Sequence, residues 1–484
     1  MRLDIDNELR ALAELFYPHK IYAVGGCVRN ALLGLPSRDT DVAGPLAPGE
    51  VYALKNAARA RGVYGDGGGA VMDNDGGGDR GGFRVAPVNP RIGTLKLFFR
   101  GREFEYTAFR RDNYAAGHRP VSAEFTRDIC EDAKRRDFTV NAIYYDVGAN
   151  ALADPLGGAR DLDARVLRTC AEPRVTLAED GLRLMRLVRF AAEYGFLIEE
   201  ETLKAAKDNA GLICEISGER IRDELCGILN SDGFKDAVNY APPDMIGPER
   251  GLKLLAETGL AERIMPELAA CVGFAQPSKY HKYDVFTHIA KAVAYAPKNA
   301  RPAALFHDIG KPRCFAENGN TYNHPRYGAE IAKEYMGQSG MKFPSAVIDG
   351  VLGSVRNHMF DIDGETSDAK VRAFIQDNVN IIDDLIELKK ADYKAKGTEE
   401  GECPSALKMR RIFDEMKAEG APFSVADLKI GGADMKRLGC RDRSIGKILK
   451  KILKACANNA EMLRAEAQFN LAVKLINEDG AENA

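Results

Sequence analysis

Apolar residues recur at helical spacing over residues 1–20, and "KIYAVGG" reads as a strand running into a glycine turn. Two alternating runs, "GTLKLFF" and "REFEYTAF", flank Arg100-Gly101 and predict a β-hairpin. "FTVNAIYYDV" is a further strand candidate. Upstream of the hairpin, residues 62–82 are glycine-dense and acidic, with too few apolar side chains to pack, which predicts a mobile loop. From about residue 175 the spacing becomes helical and stays so to the end. The pattern predicts an α/β N-terminal domain followed by an all-α remainder. Proline- and glycine-bearing stretches near 241–248, 266–278 and 397–404 are the expected boundaries.

Composition narrows this. A chain of 484 residues exceeds one core, so three or four domains are expected. With 45% hydrophobic and 29% charged residues it reads as globular, and a net charge of −3 confines any nucleic-acid surface to a local patch. "MRLDIDNELRALAELF" is charged and amphipathic, unlike a signal peptide. No run of about 18 apolar residues occurs, so no membrane is expected as a partner. Ten scattered cysteines without a CxxC pair suit a cytoplasmic location and argue against a thiolate zinc site.

The first candidate chemistry lies in "GGCVRNALLGLPSRDTD", residues 25–41. Asp39 and Asp41 are expected on one face of a strand, where period-two alternation makes their carboxylates converge. Oxygen ligands suit Mg²⁺, and a third carboxylate, Glu103 or Glu105, would complete a two-metal site for phosphoryl chemistry. Backbone at Gly25 and Gly26 can approach a triphosphate, with a helix starting near Val28 aiming N–H groups at it.

This stretch resembles the nucleotidyltransferase superfamily of CCA-adding enzymes and bacterial poly(A) polymerases, whose signature is Gly-Gly-x-Val-Arg-x-x-Leu-Leu-Gly leading into Asp-x-Asp. Asn30 departs from it, standing where an aspartate is usual. "EYTAFRRDNY" is similar to a strand of that family, which implies Glu105 rather than Glu103 as the third catalytic carboxylate beside Asp39 and Asp41. "EDAKRRDFTVNA" matches its Arg-Arg-Asp motif. The resemblance implies a nucleotide-binding set of Gly25, Gly26, Arg29, Arg135, Arg136 and Asp137, with guanidinium geometry suited to phosphate oxygens.

"TLAEDGLRLMRLVRF" reads as one helix that pairs Glu179 with Arg183 and Asp180 with Arg183. Taken alone, Thr176-x-x-Glu179 is better read as a capping box, with Asp180 favoured by the helix dipole. The resemblance implies instead a protein template. Asp180 would accept from the exocyclic amine of CTP or ATP, and Arg183 would donate to the ring acceptors, with Glu179, Arg186 and Arg189 beside them.

Four of the seven histidines fall between residues 288 and 358. A His-Asp doublet inside an apolar helix is costly to bury without a metal or ion partner. The pattern resembles the HD phosphohydrolase domain, which implies His288, His307, Asp308 and Asp392 as ligands of a divalent transition metal, with His324 and His358 matching extra positions of some members. Such a site could activate water on a phosphoester.

The stretch "LKIGGADMKRLGCRDRSIGKILKKIL" is similar to the family's tail and makes Lys436, Arg437, Arg441, Arg443 and Lys447 candidates for tRNA backbone contact. The resemblance thus implies an α+β nucleotidyltransferase head with a mixed sheet, followed by an all-α neck, HD domain and tail. The expected domains are head 1–168, neck with the templating helix 169–240, helical body 241–396 with the HD domain from about 280, and tail 397–484. The expected partners are tRNA, CTP and ATP, and a homodimer stays open. CCA addition is the favoured activity. A-addition and poly(A) synthesis share the head motifs, and a phosphohydrolase with an RNA-binding head is the alternative of another class.

Overall fold

The computed structural model describes residues 7–482 apart from 38, 61–82, 114–121 and 278. The loop expected at 62–82 lies outside the described residues. The chain forms two compact units, Met1–Ile264 and Met265–Ala484.

The first unit opens with α1 (Asn7–Phe16), which buries Leu9, Leu12 and Phe16 and stops just before Pro18. There follow β1 (Tyr22–Val24), α2 (Gly26–Leu32), β2 (Asp41–Gly44), α3 (Pro48–Ala60), β3 (Phe83–Asn89), β4 (Thr94–Phe99) and β5 (Arg102–Ala108). Next come β6 (Arg110–Asn113), β7 (Ser122–Phe125), α4 (Ile129–Lys134), β8 (Tyr144–Asp146) and β9 (Ala151–Ala153). Seven strands build one mixed sheet in the order β3-β4-β5-β2-β1-β8-β9. Only the β2–β5 contact in it is parallel.

The expected hairpin is β4–β5, closed at Arg100 (φ 47°) and Gly101 (φ 79°), two positive φ values that match the twist of the strands. Phe16 packs its ring on Tyr106 and Phe83 on one sheet face. Tyr22, Tyr144 and Phe109 pack together on the other. The strand expected over 138–147 is shorter than its pattern. Thr139–Asn141 form a 3₁₀ turn, because Asp137 takes the Phe138 N–H and the Asn141 amide, and the ladder starts only at Tyr144.

The helical part of this unit comprises α5 (Gly158–Asp163), α6 (Pro173–Glu179), α7 (Leu182–Tyr194), α8 (Glu200–Asp208), α9 (Gly218–Leu229), α10 (Pro248–Glu257) and α11 (Leu260–Ile264). It is not purely helical, since β10 (Val166–Leu167) pairs in parallel with β11 (Leu197–Ile198). The single helix expected over 176–190 is two helices broken at Asp180-Gly181. Thr176 therefore sits inside α6 and no capping box forms there; the cap is Glu172, whose carboxylate accepts the Val175 N–H at 2.8 Å.

The second unit is helical throughout its described residues: α12 (Pro266–Ala269), α13 (Val285–Tyr295), α14 (Arg301–Phe306), α15 (Lys311–Asn318), α16 (His324–Met336), α17 (Ser345–Asn357), α18 (Asp368–Asp377) and α19 (Ile382–Ala395). It ends with α20 (Pro404–Ala418), α21 (Gly432–Arg437), α22 (Asp442–Asn458) and α23 (Ala465–Glu482).

The break between α6 and α7 needs glycine for space. A Cβ on Gly181 would stand 2.8 Å from the Leu212 carbonyl oxygen, a backbone atom that cannot swing aside. Gly181→Ala is expected to lower stability by about 1–3 kcal/mol in chemical denaturation, the usual range for overpacking. A change below about 0.5 kcal/mol, the scatter of neutral surface substitutions, would contradict that close approach.

Candidate functional sites

The parallel contact of the sheet sets the first site. Its register places Asp41 beside Glu105, and Glu103 lies opposite Phe98, two residues away, paired with Lys96 at 2.5 Å. By alternation Asp41 and Glu105 share the sheet face that carries Tyr22 and Tyr144. Asp39 does not share a strand with Asp41 as expected. The ladder begins at Asp41, and Asp39 lies before it in irregular backbone, its carbonyl accepting from the Ser37 hydroxyl at 3.1 Å.

The charges still meet. Loss of hydration first, and then Glu105, push the Asp41 carboxyl above its usual value, with Asp39 adding to the effect and Arg136 opposing it. An all-oxygen set under mutual repulsion fits a hard divalent cation. Gly25, at φ +79°, passes close by, and a Cβ there would be 3.9 Å from the Asp41 carboxylate. The helix after it begins at Gly26, not near Val28.

The arginines divide by exposure. Arg29 is buried. Its guanidinium donates to Asn30, Asn141 and the Tyr194 hydroxyl and lies over the rings of Phe190 and Tyr194, so it ties α2 to α7. Asn30 also donates to the Pro36 carbonyl. Arg135 and Arg136, just after α4, both lean on the buried Asp132. Asp137 accepts from Arg186 at 2.6 and 2.8 Å; burial pushes its carboxyl up, but Arg186 and Asn141 outweigh this and hold it at about 2. Arg189 pairs with Glu224 and Glu193 and lies over Phe190.

The expected pairing of Glu179 with Arg183 is present at 2.8 Å, whereas that of Asp180 with Arg183 is not. Asp180, in extended conformation between α6 and α7, accepts from Arg220 of α9 at 2.8 Å and caps the Leu182 N–H. Arg183 also donates to the carbonyls of Thr176 and Arg135. Arg220 was not legible as a partner because it lies forty residues away on another helix. Asp132 could have been found from its i,i+3 and i,i+4 spacing to Arg135 and Arg136.

In the second unit, His288, His307 and Asp392 form one candidate metal-binding group, and Asp308, His324 and His358 a second. Asp308 reaches both, with Oδ2 3.3 Å from His288 and 3.5 Å from His307, and Oδ1 3.0 Å from His324 and 3.8 Å from His358. His288 Nε2 lies 3.1 Å from both Asp392 and His307 Nε2. His307, His324 and His358 each face a backbone carbonyl with Nδ1 at 2.7 Å, which turns Nε2 inward as metal-bound imidazoles require. Burial and then the neighbouring imidazoles push His358 down to about 3, so its ring is neutral at pH 7 and offers a lone pair. His324 and His358 thus stand as a second half-centre.

Three residues here escaped the sequence reading. Lys311 pairs with Asp308 at 2.5 Å and Gln276 at 2.7 Å, and the ring of His281 stands edge-on to His288.

The tail candidates Lys436 and Arg437 on α21, Arg441 at the N-cap of α22, and Arg443 and Lys447 on α22 are all exposed. Lys436 pairs with Asp442 and Arg437 with Asp434. Ile448, Leu449 and Ile452 bury the opposite side of α22.

Comparison with known proteins bears on family and fold. Residues 82–168 match the family described as Poly A polymerase head domain, 195–240 match the probable RNA and SrmB- binding site of polymerase A, and 283–397 match the HD domain. An A-adding tRNA nucleotidyltransferase of Deinococcus radiodurans is 30% identical over 463 residues, covering 91% of this chain and 92% of that one. A CCA-adding enzyme of Geobacillus stearothermophilus is 35% identical over 251 residues, so this chain spans about half (51%) of its length. The fold is that of the Bacillus stearothermophilus CCA-adding enzyme in complex with CTP (TM-score 0.63, 24% identity, 99% and 98% of the two chains covered). The Thermotoga maritima CCA-adding enzyme complexed with tRNA shares it as well (TM-score 0.56, 19% identity, 96% and 97% covered). No helix among the described residues is long and apolar enough to cross a membrane. With a mixed-sheet head, a helical remainder and an HD domain, and with end-to-end similarity to a curated member, this chain belongs to the tRNA nucleotidyltransferase family, whose members act with divalent metals.

Proposed function

We propose that this chain extends the 3′ end of tRNA without a nucleic-acid template, building CCA from CTP and ATP and releasing pyrophosphate. The observation that carries the reading is the Asp41–Glu105 rung beside the positive-φ turn at Gly25. Asp39, Asp41 and Glu105 present carboxylate oxygens, and Gly25 and Gly26 leave room for a triphosphate. Mg²⁺ held there would activate the tRNA 3′-hydroxyl and stabilise the departing pyrophosphate. Arg135 and Arg136 neutralise the triphosphate from the α4 side, and Asp137 holds Arg186 next to them.

Asp180 and Arg183 read the base. Arg220 holds the Asp180 carboxylate and Glu179 the Arg183 guanidinium until a base replaces those contacts. The exposed basic face of α22 takes the tRNA backbone, and the reaction belongs in the cytoplasm.

The cluster around Asp308 serves a second, hydrolytic activity on phosphoesters, for which a bound transition-metal pair would activate water. Addition of A alone is the second reading, favoured because the end-to-end relative is A-adding whereas the match to CCA-adding relatives spans half of each.

Three tRNA transcripts, ending at the discriminator base, at C and at CC, test the reading when each is incubated with Mg²⁺ and CTP, ATP or both. Growth of the shortest to CCA, stopping there, is expected. Extension of the CC-ended transcript alone would replace the reading with A-addition, long A tails would mean poly(A) synthesis, and no addition would overturn it. Asp41→Ala, still folded, is expected to lose all addition; activity near wild type would refute its role. For the second centre, His307→Ala combined with Asp308→Ala is expected to abolish metal-dependent phosphohydrolysis and leave addition intact. Retained hydrolysis in that variant would sink the assignment.

A further inference from the structure

We propose that Asp132 is a positioning residue for the nucleotide triphosphate, a single buried carboxylate that fixes the guanidiniums of Arg135 and Arg136 through one oxygen each. The inference rests on the assignment of these two arginines to the triphosphate. Asp132 is fully buried on the last turn of α4, while Arg135 and Arg136 keep 14% and 17% of their side chains exposed. The carboxylate is therefore inaccessible to nucleotide, and the arginines it holds are not.

The division between the two oxygens is clean. Oδ1 accepts from Arg135 at 2.7 Å and from the backbone N–H of Arg110 at 3.3 Å. Oδ2 accepts from Arg136 Nε and Nη2 at 3.3 and 3.1 Å and from the Tyr144 hydroxyl at 2.6 Å. Two of these donors, on β6 and β8, belong to strands and anchor the carboxylate independently of the arginines. Arg136 is braced again by the buried Tyr144, since its Nε also donates to the Tyr144 hydroxyl and its guanidinium lies over that ring. Its Nη1 has no hydrogen-bond partner among the described residues, so one donor edge is left for a phosphate oxygen. Burial raises the Asp132 carboxyl, but the two arginines outweigh it and keep the group ionised.

Asp112 lies 3.4 Å from Arg135 and pairs with Arg110, so the set carries two negative and three positive charges, a net single positive charge for an anionic ligand. Long arginine side chains lose rotamer freedom when they bind phosphate, and a site that holds them in advance removes that loss from binding. Charge and position then make opposite forecasts for Asp132→Asn. Removing a carboxylate beside a phosphate site should tighten anion binding if charge alone mattered. Replacing one acceptor oxygen by an amide NH₂, which cannot accept from a guanidinium, should weaken it if position matters.

The test uses the full chain, a tRNA transcript and CTP, with inorganic tripolyphosphate as competitive probe. For Asp132→Asn we expect KM for CTP and the inhibition constant of tripolyphosphate to rise together by about tenfold or more, the scale of a misplaced binding group, with kcat within about threefold. A purely structural defect would lower the active fraction and leave KM in place. Unchanged or tighter tripolyphosphate inhibition would overturn the proposal. If Asp132→Asn does not fold, Tyr144→Phe, which keeps all charges and removes one Oδ2 donor, must weaken tripolyphosphate; an unchanged constant overturns the proposal equally. Arg136→Ala separates the two layers, because normal inhibition there would remove Arg136 from the triphosphate whatever Asp132 does.

Discussion

Asp41 and Glu105 stand side by side on one rung of a parallel ladder, and two carboxylates so placed repel each other. Much of the head can be read as what surrounds that repulsion. The parallel contact between β2 and β5 creates it, Asp39 adds to it, and Arg136 partly offsets it. The sheet tolerates the arrangement because the opposite face packs Phe16, Tyr106 and Phe83 into an apolar core. A rung that is unfavourable as structure and suited to a divalent cation is the feature from which nucleotide chemistry follows.

Around it the chain spends its charged residues in pairs. Asp132 holds two arginines, Asp137 a third, and Glu224 joins Arg186 and Arg189. Nearly every guanidinium near the site is thus fixed before a ligand arrives, as electrostatic preorganisation requires. Arg183 links the layers, since it donates to the backbone carbonyl of Arg135 while pairing with Glu179, the residue before Asp180. In the second unit the same economy appears with imidazoles, where Asp308 offers one oxygen to each group of candidate ligands.

The sequence carried the site better than the backbone. The glycine turn, the Asp39/Asp41 pair and the His-Asp doublet stood out by residue type at short spacing, whereas Glu105 in place of Glu103 and the pair Arg135 and Arg136 entered only through the family resemblance. The hairpin was legible because alternation and Arg100-Gly101 acted locally. What failed depended on distant partners. Residues 176–190 have an unbroken helical pattern, yet the chain breaks at Asp180, which is extended and held by Arg220 from another helix. The pattern at 138–147 suits a strand, but Asp137 captures the backbone at its start. The partners of Arg29 were equally out of reach, since only the fold brings Asn141 and Tyr194 to it. Asp180 reads as a partner of Arg183, and Arg220 claims it from another helix.

The most direct test of the central claim is anomalous scattering from a crystal grown with Mn²⁺ and a non-hydrolysable CTP analogue. The account predicts a metal peak within bonding distance of Asp41 and the triphosphate, on the sheet face shared with Glu105 and with Asp39 drawn toward it. A well-ordered nucleotide bound elsewhere, with no metal at Asp41, would contradict it.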